Sequence, residues 1–75
     1  MNMTTIQLPH GATLVGAYDY DAEADISRVL LPVKRKPRRG TYSLSGDTLQ
    51  VPAEHAEGLF VLVQLADGGI DLKIV

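Results

Sequence analysis

The chain has 75 residues, no cysteine and a formal net charge of −2. Its length predicts one domain over residues 1–75, and the missing cysteines exclude disulfides and cysteine-based zinc sites. The hydrophobic content of 45% is too high for a disordered chain. No apolar run is long enough to span a membrane, and the first residues lack the features of a signal peptide. We therefore expect a cytoplasmic protein, or a component of a particle assembled in the cytoplasm.

Two candidate strands begin the chain. Residues 4–8 alternate weakly between polar and apolar side chains, and residues 12–18 are rich in β-forming residues. The segment Pro9-His10-Gly11 between them is a turn signal. This pattern predicts a hairpin made of the two strands.

Residues 18–33 are compatible with two structures. In the first, Asp21 caps a helix near residues 21–31, which Pro32 ends. In the second, tyrosine and alanine side chains alternate with acidic ones along a strand, and a turn leads into a further extended segment. We favour strands, because tyrosine, isoleucine and valine are common here and the surrounding segments are β. The helix remains the alternative.

Two further hairpins are predicted in the second half of the chain. Residues 41–44 and 48–51 flank Ser45-Gly46-Asp47, and residues 59–65 and 70–74 flank Asp67-Gly68-Gly69. Residues 59–65 are apolar on both faces, which is typical of a central strand. The residues expected to point inward from the first of these hairpins are Tyr42, Leu44, Leu49 and Val51.

Proline and glycine bracket one short helix near residues 52–57. The sequence as a whole predicts a mostly β domain, a small meander or barrel of about five to six short strands with that one helix. The alternative is an α+β domain with a helix near residues 21–31.

Positive charge is concentrated in one segment. Five of the seven basic residues lie in what we call the basic loop: Lys34, Arg35, Lys36, Arg38 and Arg39. Arginine side chains can bind carboxylates or phosphates through two parallel hydrogen bonds. The loop therefore predicts a contact with nucleic acid, with an acidic protein surface or with a neighbouring copy of the chain. The alternative is a solvated loop that only keeps the protein soluble.

Negative charge is concentrated just upstream. Four of the nine acidic residues form what we call the acidic row: Asp19, Asp21, Glu23 and Asp25. This spacing resembles the start of a calcium-binding EF-hand loop, but Ala24 stands where the loop needs glycine and Leu30 where it needs glutamate. We predict no metal ion and no cofactor. The row is predicted to contact cations instead, foremost the basic loop of another copy.

The sequence contains no recognisable catalytic set. His10 lies in a turn and His55 in the short helical linker, and neither has a serine or cysteine nucleophile in a familiar local context. Both are expected to be surface histidines. We therefore predict a non-enzymatic protein without a small-molecule substrate.

The most favoured function is that of a small structural or interaction protein within a larger assembly, with other subunits or its own copies as partners. Its small size and lack of a catalytic set resemble, in type only, phage or virion proteins such as capsid decoration and tail-accessory subunits; no motif carries the resemblance. Two alternatives stay open. One is a nucleic-acid-binding β module that uses the basic loop, with Tyr42 as a stacking platform. The other is a protein inhibitor of a host complex.

Overall fold

The computed structural model describes residues 2–74, which form eight strands and one short 3-10 turn. In chain order these are β1 (Met3–Gln7), β2 (Thr13–Asp21), β3 (Ile26–Val29), β4 (Leu31–Pro32), β5 (Thr41–Ser45), β6 (Thr48–Pro52), the 3-10 turn (Ala53–His55), β7 (Leu59–Gln64) and β8 (Ile70–Ile74). The predicted mostly β domain with one short helical element is confirmed. The strands outnumber the expected five to six because residues 26–32 supply two short ones. None of the described residues forms a helix long and apolar enough to cross a membrane.

The strands form two four-stranded sheets, in the orders β1-β6-β5-β4 and β3-β2-β7-β8. Each sheet contributes one apolar face to the core between them. The buried core residues are Ile6, Leu8, Ala17, Leu30, Leu49, Val51, Leu59, Val61 and Val63. The alternating burial of β7 follows from its position between β2 and β8, with every second side chain in the core.

Both hairpins predicted in the second half of the chain are confirmed. Strands β5 and β6 pair antiparallel around Gly46 and Asp47, and β7 pairs with β8 around residues 65–69. Two of the four residues predicted to point inward, Leu49 and Val51, are fully buried, and Tyr42 is partly buried against the core. Leu44 remains 43% exposed. It lies one residue before the end of β5, opposite Leu49 on β6.

Residues 18–33 form strands, so the helix near residues 21–31 is wrong. Strands β2 and β3 make an antiparallel hairpin from Tyr18↔Val29 to Asp21↔Ile26. The Asp21 carboxylate accepts hydrogen bonds from the backbone N–H groups of Glu23 and Ala24, at 3.1 and 3.3 Å. A side chain that bonds to backbone amides two and three residues later favours a turn, and Asp25 completes this one with a φ of 53°.

The hairpin predicted between the first two strands is also wrong. β1 pairs antiparallel with β6, in a register that sets Ile6 opposite Leu49, and β2 belongs to the other sheet. Leu8 is buried after β1, and its N–H donates to the C=O of Asp47 at 2.8 Å. Residues 8–12 thus cross from one sheet to the other. This arrangement buries Ile6 and Leu8 in the core, which explains why it replaces a local hairpin.

A second crossing joins the sheets between β3 and β4. The N–H of Leu30 donates to Ala17 of one sheet at 2.9 Å, and the N–H of Leu31 donates to Gly40, next to the other sheet, at 3.0 Å. Leu30 itself is buried in the core. Strands β1 and β8 are the sheet edges that lie away from this crossing.

Candidate functional site

An open cleft of about 810 Å³ lies where β2, the 3-10 turn and the end of the basic loop meet. Five carboxylates and two guanidinium groups line it: Asp19, Asp21, Glu23, Glu54 and Glu57, with Arg28 and Arg39. The carboxylates outnumber the guanidinium groups, so the surface carries net negative charge. We call it the acidic cleft.

His55 holds three parts of the cleft wall together. Its side chain is buried, with Nδ1 at 2.7 Å from Oδ2 of Asp19, and its Nε2 accepts a hydrogen bond from the N–H of Gly40 at 2.8 Å. Because Nε2 is an acceptor, the ring proton lies on Nδ1 and is donated to Asp19. One imidazole thereby connects β2, the 3-10 turn and the end of the basic loop.

The expectation that His55 is a surface residue is therefore wrong, and sequence reasoning missed it as part of the site. Its partners lie 36 and 15 residues away in the chain, so no local spacing points to them. The only hint in the sequence was its position in a short helical turn that begins after Pro52. In the structure Pro52 is buried as well. His10, by contrast, is fully exposed as expected and lies 3.4 Å from Asp47.

The acidic row is not one continuous strand face. Asp19 and Asp21 belong to β2, whereas Glu23 and Asp25 lie in the turn after it. Asp19 is bonded to His55, and Asp21 lies 3.4 Å from the guanidinium of Arg28 while also accepting from the turn amides. The strand half of the row thus has partners within the chain. Glu23 and Glu57, which are both exposed, supply the outward charge of the cleft.

Tyr20 connects β2 to the turn at the rim of the cleft. Its hydroxyl donates to Oδ1 of Asp25 at 2.7 Å. This hydrogen bond to a carboxylate raises the pKa of Tyr20 above its ordinary value of 10.0, and partial burial and the charge of Asp21 act in the same direction. The phenol therefore stays protonated and holds the turn through the whole neutral range.

The basic loop is fixed at its centre and at its C-terminal end. Pro37 is fully buried, and the backbone N–H of Arg38 donates to the hydroxyl of Thr41 at 2.8 Å. The same hydroxyl donates to the C=O of Arg38 at 2.6 Å. These contacts hold the backbone between the cationic residues in place, so the charges occupy a defined surface.

Most of the charge on the basic loop has no partner within residues 2–74. Arg39 lies 3.7 Å from Glu54, and both side chains are exposed, so this pair adds little stability. Among the described residues, no carboxylate forms an ion pair with Lys34, Arg35, Lys36 or Arg38.

Among residues 2–74, no three histidine, aspartate or glutamate side chains are arranged to hold a metal ion. The acidic row in particular is split between a strand and a turn. The cleft is thus a charged surface, closed on one side by an internally bonded histidine.

Comparison with protein-family models, curated proteins and solved structures gave no match to this chain.

Proposed function

We propose that the chain is a non-catalytic interaction domain of a larger assembly, in which the basic loop of one copy binds the acidic cleft of another. The observation that carries this proposal is the pairing of unlike surfaces on one domain. Four exposed cations, for which residues 2–74 supply no ion pair, lie on an anchored loop, and a carboxylate-lined cleft begins where that loop ends. Complementary surfaces of this kind give specificity and fast association.

The positions of the two surfaces favour a two-fold arrangement. Arg39 and Gly40 belong both to the end of the loop and to the wall of the cleft, so the surfaces are neighbours. Two copies related by a two-fold axis can then each place a loop in the cleft of the other. Both contacts form in one dimer, which doubles the number of opposed charge pairs.

The internal bonding of His55 supports a role without catalysis. A general base needs a ring nitrogen that can reach a substrate proton, and both nitrogens of this imidazole have partners inside the domain. Among the described residues that line the cleft there is no serine, threonine or cysteine, the residues that supply hydroxyl and thiol nucleophiles. A surface that binds by charge accounts for what the cleft contains.

The placement of Tyr42 favours a protein partner over nucleic acid. Base stacking needs an accessible aromatic face, and this ring is partly buried against the core. The neighbouring carboxylates of the cleft would also repel phosphates that approach the loop. Binding of a phosphate backbone by the loop cations alone is one outcome that the following experiment detects.

Charge reversal on each surface tests the proposal. The loop variant carries Lys34→Glu, Arg35→Glu and Lys36→Glu, and the cleft variant carries Glu23→Lys and Glu57→Lys; all five residues are exposed and lie outside the His55 contacts. Each variant alone should lose the contact, because its loop and cleft then carry charge of the same sign. An equimolar mixture should regain it as a heterodimer, measured by light scattering after size exclusion.

Gln50→Glu serves as the control, because it adds negative charge on the exposed side of β6, away from both surfaces. It should associate like the parent. The proposal is wrong if both charge-reversed variants associate like the parent, or if their mixture stays monomeric. A parent chain that changes mass only when a mixed-sequence nucleic acid is added, with that response lost in the loop variant, would replace it with phosphate binding.

A further inference from the structure

The outer edge of β8 is a second candidate contact surface, distinct from the basic loop and the acidic cleft. β8 ends the sheet β3-β2-β7-β8 and pairs with β7 on one side. Within residues 2–74, no strand lies on its other side. An edge strand of this kind presents free backbone donors and acceptors, which can pair with another strand.

The backbone groups of alternate residues point to the free edge. The N–H of Leu65 donates to the C=O of Gly69 at 2.6 Å, so the backbone of Gly69 is directed to the β7 side. Along an antiparallel strand this direction alternates from one residue to the next. The backbone groups of Asp71 and Lys73 therefore face β7, and those of Ile70 and Leu72 face the free edge.

The two residues that flank Leu72 on β8 carry charges of opposite sign. Asp71 precedes it and Lys73 follows it, and both charged side chains are exposed. When two such strands pair antiparallel with Leu72 opposite Leu72, each aspartate lies opposite the lysine of the other copy. These are the non-hydrogen-bonded positions of the ladder, where opposed side chains come closest.

The same pattern disfavours the neighbouring registers. A pair centred on Asp71 would set the two aspartates opposite each other, and a pair centred on Lys73 would do so with the lysines. A lysine on an edge strand usually hinders self-pairing. Here Lys73 of one copy lies opposite Asp71 of the other, so the lysine favours pairing. This holds only in the register centred on Leu72.

The outer face of this sheet, opposite the core, is also apolar near β8 and would continue across such a pair. Leu72 lies opposite Leu62 on β7 and is 52% exposed. Next to them on the same side, Tyr18 stacks on Phe60 with 5.1 Å between ring centroids. A two-fold axis perpendicular to the sheet keeps this face on the same side in both copies. The two Leu72 side chains then meet at the centre.

We propose that β8 pairs with β8 of a second copy, antiparallel and centred on Leu72, so that two four-stranded sheets become one sheet of eight strands. One strand pair is a small interface, so the dimer is weak and forms at high micromolar concentration. The contact uses none of the residues of the basic loop or the acidic cleft. It stands or fails independently of the proposed function.

Charge exchange within β8 is the test, measured by sedimentation equilibrium over a concentration series. All chains also carry the loop substitutions Lys34→Glu, Arg35→Glu and Lys36→Glu, which reverse the net charge of the basic loop. Lys73→Asp and Asp71→Lys each place like charges opposite each other twice, and should raise the dimer dissociation constant about tenfold or more. The double variant Asp71→Lys with Lys73→Asp should restore the affinity of the unchanged strand.

A backbone variant tests the hydrogen bonds of the same edge. Leu72→Pro removes an N–H that faces the free edge, so the ladder with β7 is kept while pairing is lost. Leu72→Ala is its matched control and should weaken the dimer less. The proposal is overturned if the unchanged strand gives no dimer. It is equally overturned if neither Lys73→Asp nor Leu72→Pro raises the dimer dissociation constant. It is also overturned if the double variant is folded and stays monomeric.

Discussion

His55 joins the three elements that form the wall of the cleft, namely β2, the 3-10 turn and the end of the basic loop. The imidazole donates a hydrogen bond to Asp19 and accepts one from the N–H of Gly40. The same ring is the buried side chain of the 3-10 turn. Its loss leaves one partly buried carboxylate and one backbone N–H without their partners. Groups of this kind are costly when they lose a partner.

We predict that His55→Ala lowers the free energy of unfolding by about 2 kcal/mol or more, because two hydrogen bonds to partly buried groups are lost. His10→Ala is the matched control, since that side chain is fully exposed, and it should change stability very little. Urea unfolding followed by circular dichroism measures both. Equal stability of the two variants would mean that His55 does not hold the cleft wall.

Tyr20 should titrate above its ordinary value of 10.0, and Asp25→Asn should lower its pKa towards that value. The substitution removes the charge that favours the protonated phenol, and asparagine tolerates the positive φ of this position. Because the folded pKa is raised, the stability that Tyr20 contributes is complete below its unfolded pKa. It is lost as the pH rises through the folded pKa.

The tyrosinate absorbance over an alkaline titration measures this pKa, and Tyr20→Phe identifies which transition belongs to Tyr20. An unchanged transition in Asp25→Asn would contradict the role given to the hydrogen bond.

The role of Asp25 could not be predicted from its spacing in the sequence. Its spacing places it in a row with Asp19, whereas the strand ends at Asp21 and the carboxylate of Asp25 serves the turn.

Among the elements, those set by neighbouring residues could be predicted from the sequence and those set by distant ones could not. The turns at Gly46 and Gly68 both have positive φ, which glycine adopts without strain, and the hairpins around them were predicted correctly. The pairing of β1 with β6 joins segments more than forty residues apart. Its basis is the burial of Ile6 and Leu8, and several partners could have satisfied that pattern.

The same distinction between neighbouring and distant residues applies to the candidate site. The basic loop and the acidic residues are visible as charge runs in the sequence. The position of the loop's end, Arg39 and Gly40, in the wall of the cleft is not visible, because it depends on the crossing at Leu30 that brings Gly40 next to the 3-10 turn. The number of ways to pair eight short strands explains why local patterns do not determine this crossing.

The basic loop should depend on Thr41 for its order. We predict that Thr41→Val increases the rate of tryptic cleavage within residues 34–39 about fivefold, because the hydroxyl that bonds to both the N–H and the C=O of Arg38 is lost. Thr5→Val, an exposed position on β1, is the control and should be cleaved like the parent. Equal rates for the two variants would show that the Thr41 hydroxyl does not hold the loop in place.

At the scale of the whole molecule, the domain is thin and its hydrophobic core is small. Its extents are 35 × 28 × 16 Å, which leaves room for two sheets and no third layer. A domain of this size buries only about 60% of the surface that its unfolded chain exposes. Association with further copies would add burial that the single chain lacks, which fits the number of exposed apolar and charged side chains on its surface.

The most direct test of the central claim is the mass of the Lys73→Asp chain by light scattering, at low and at high salt and without nucleic acid. This variant weakens the proposed β8 pairing, so any association that remains tests the proposed contact of the basic loop with the acidic cleft. We predict a dimer at low salt that dissociates to a monomer at high salt, because opposed exposed charges are screened. A monomer under both conditions would contradict the account.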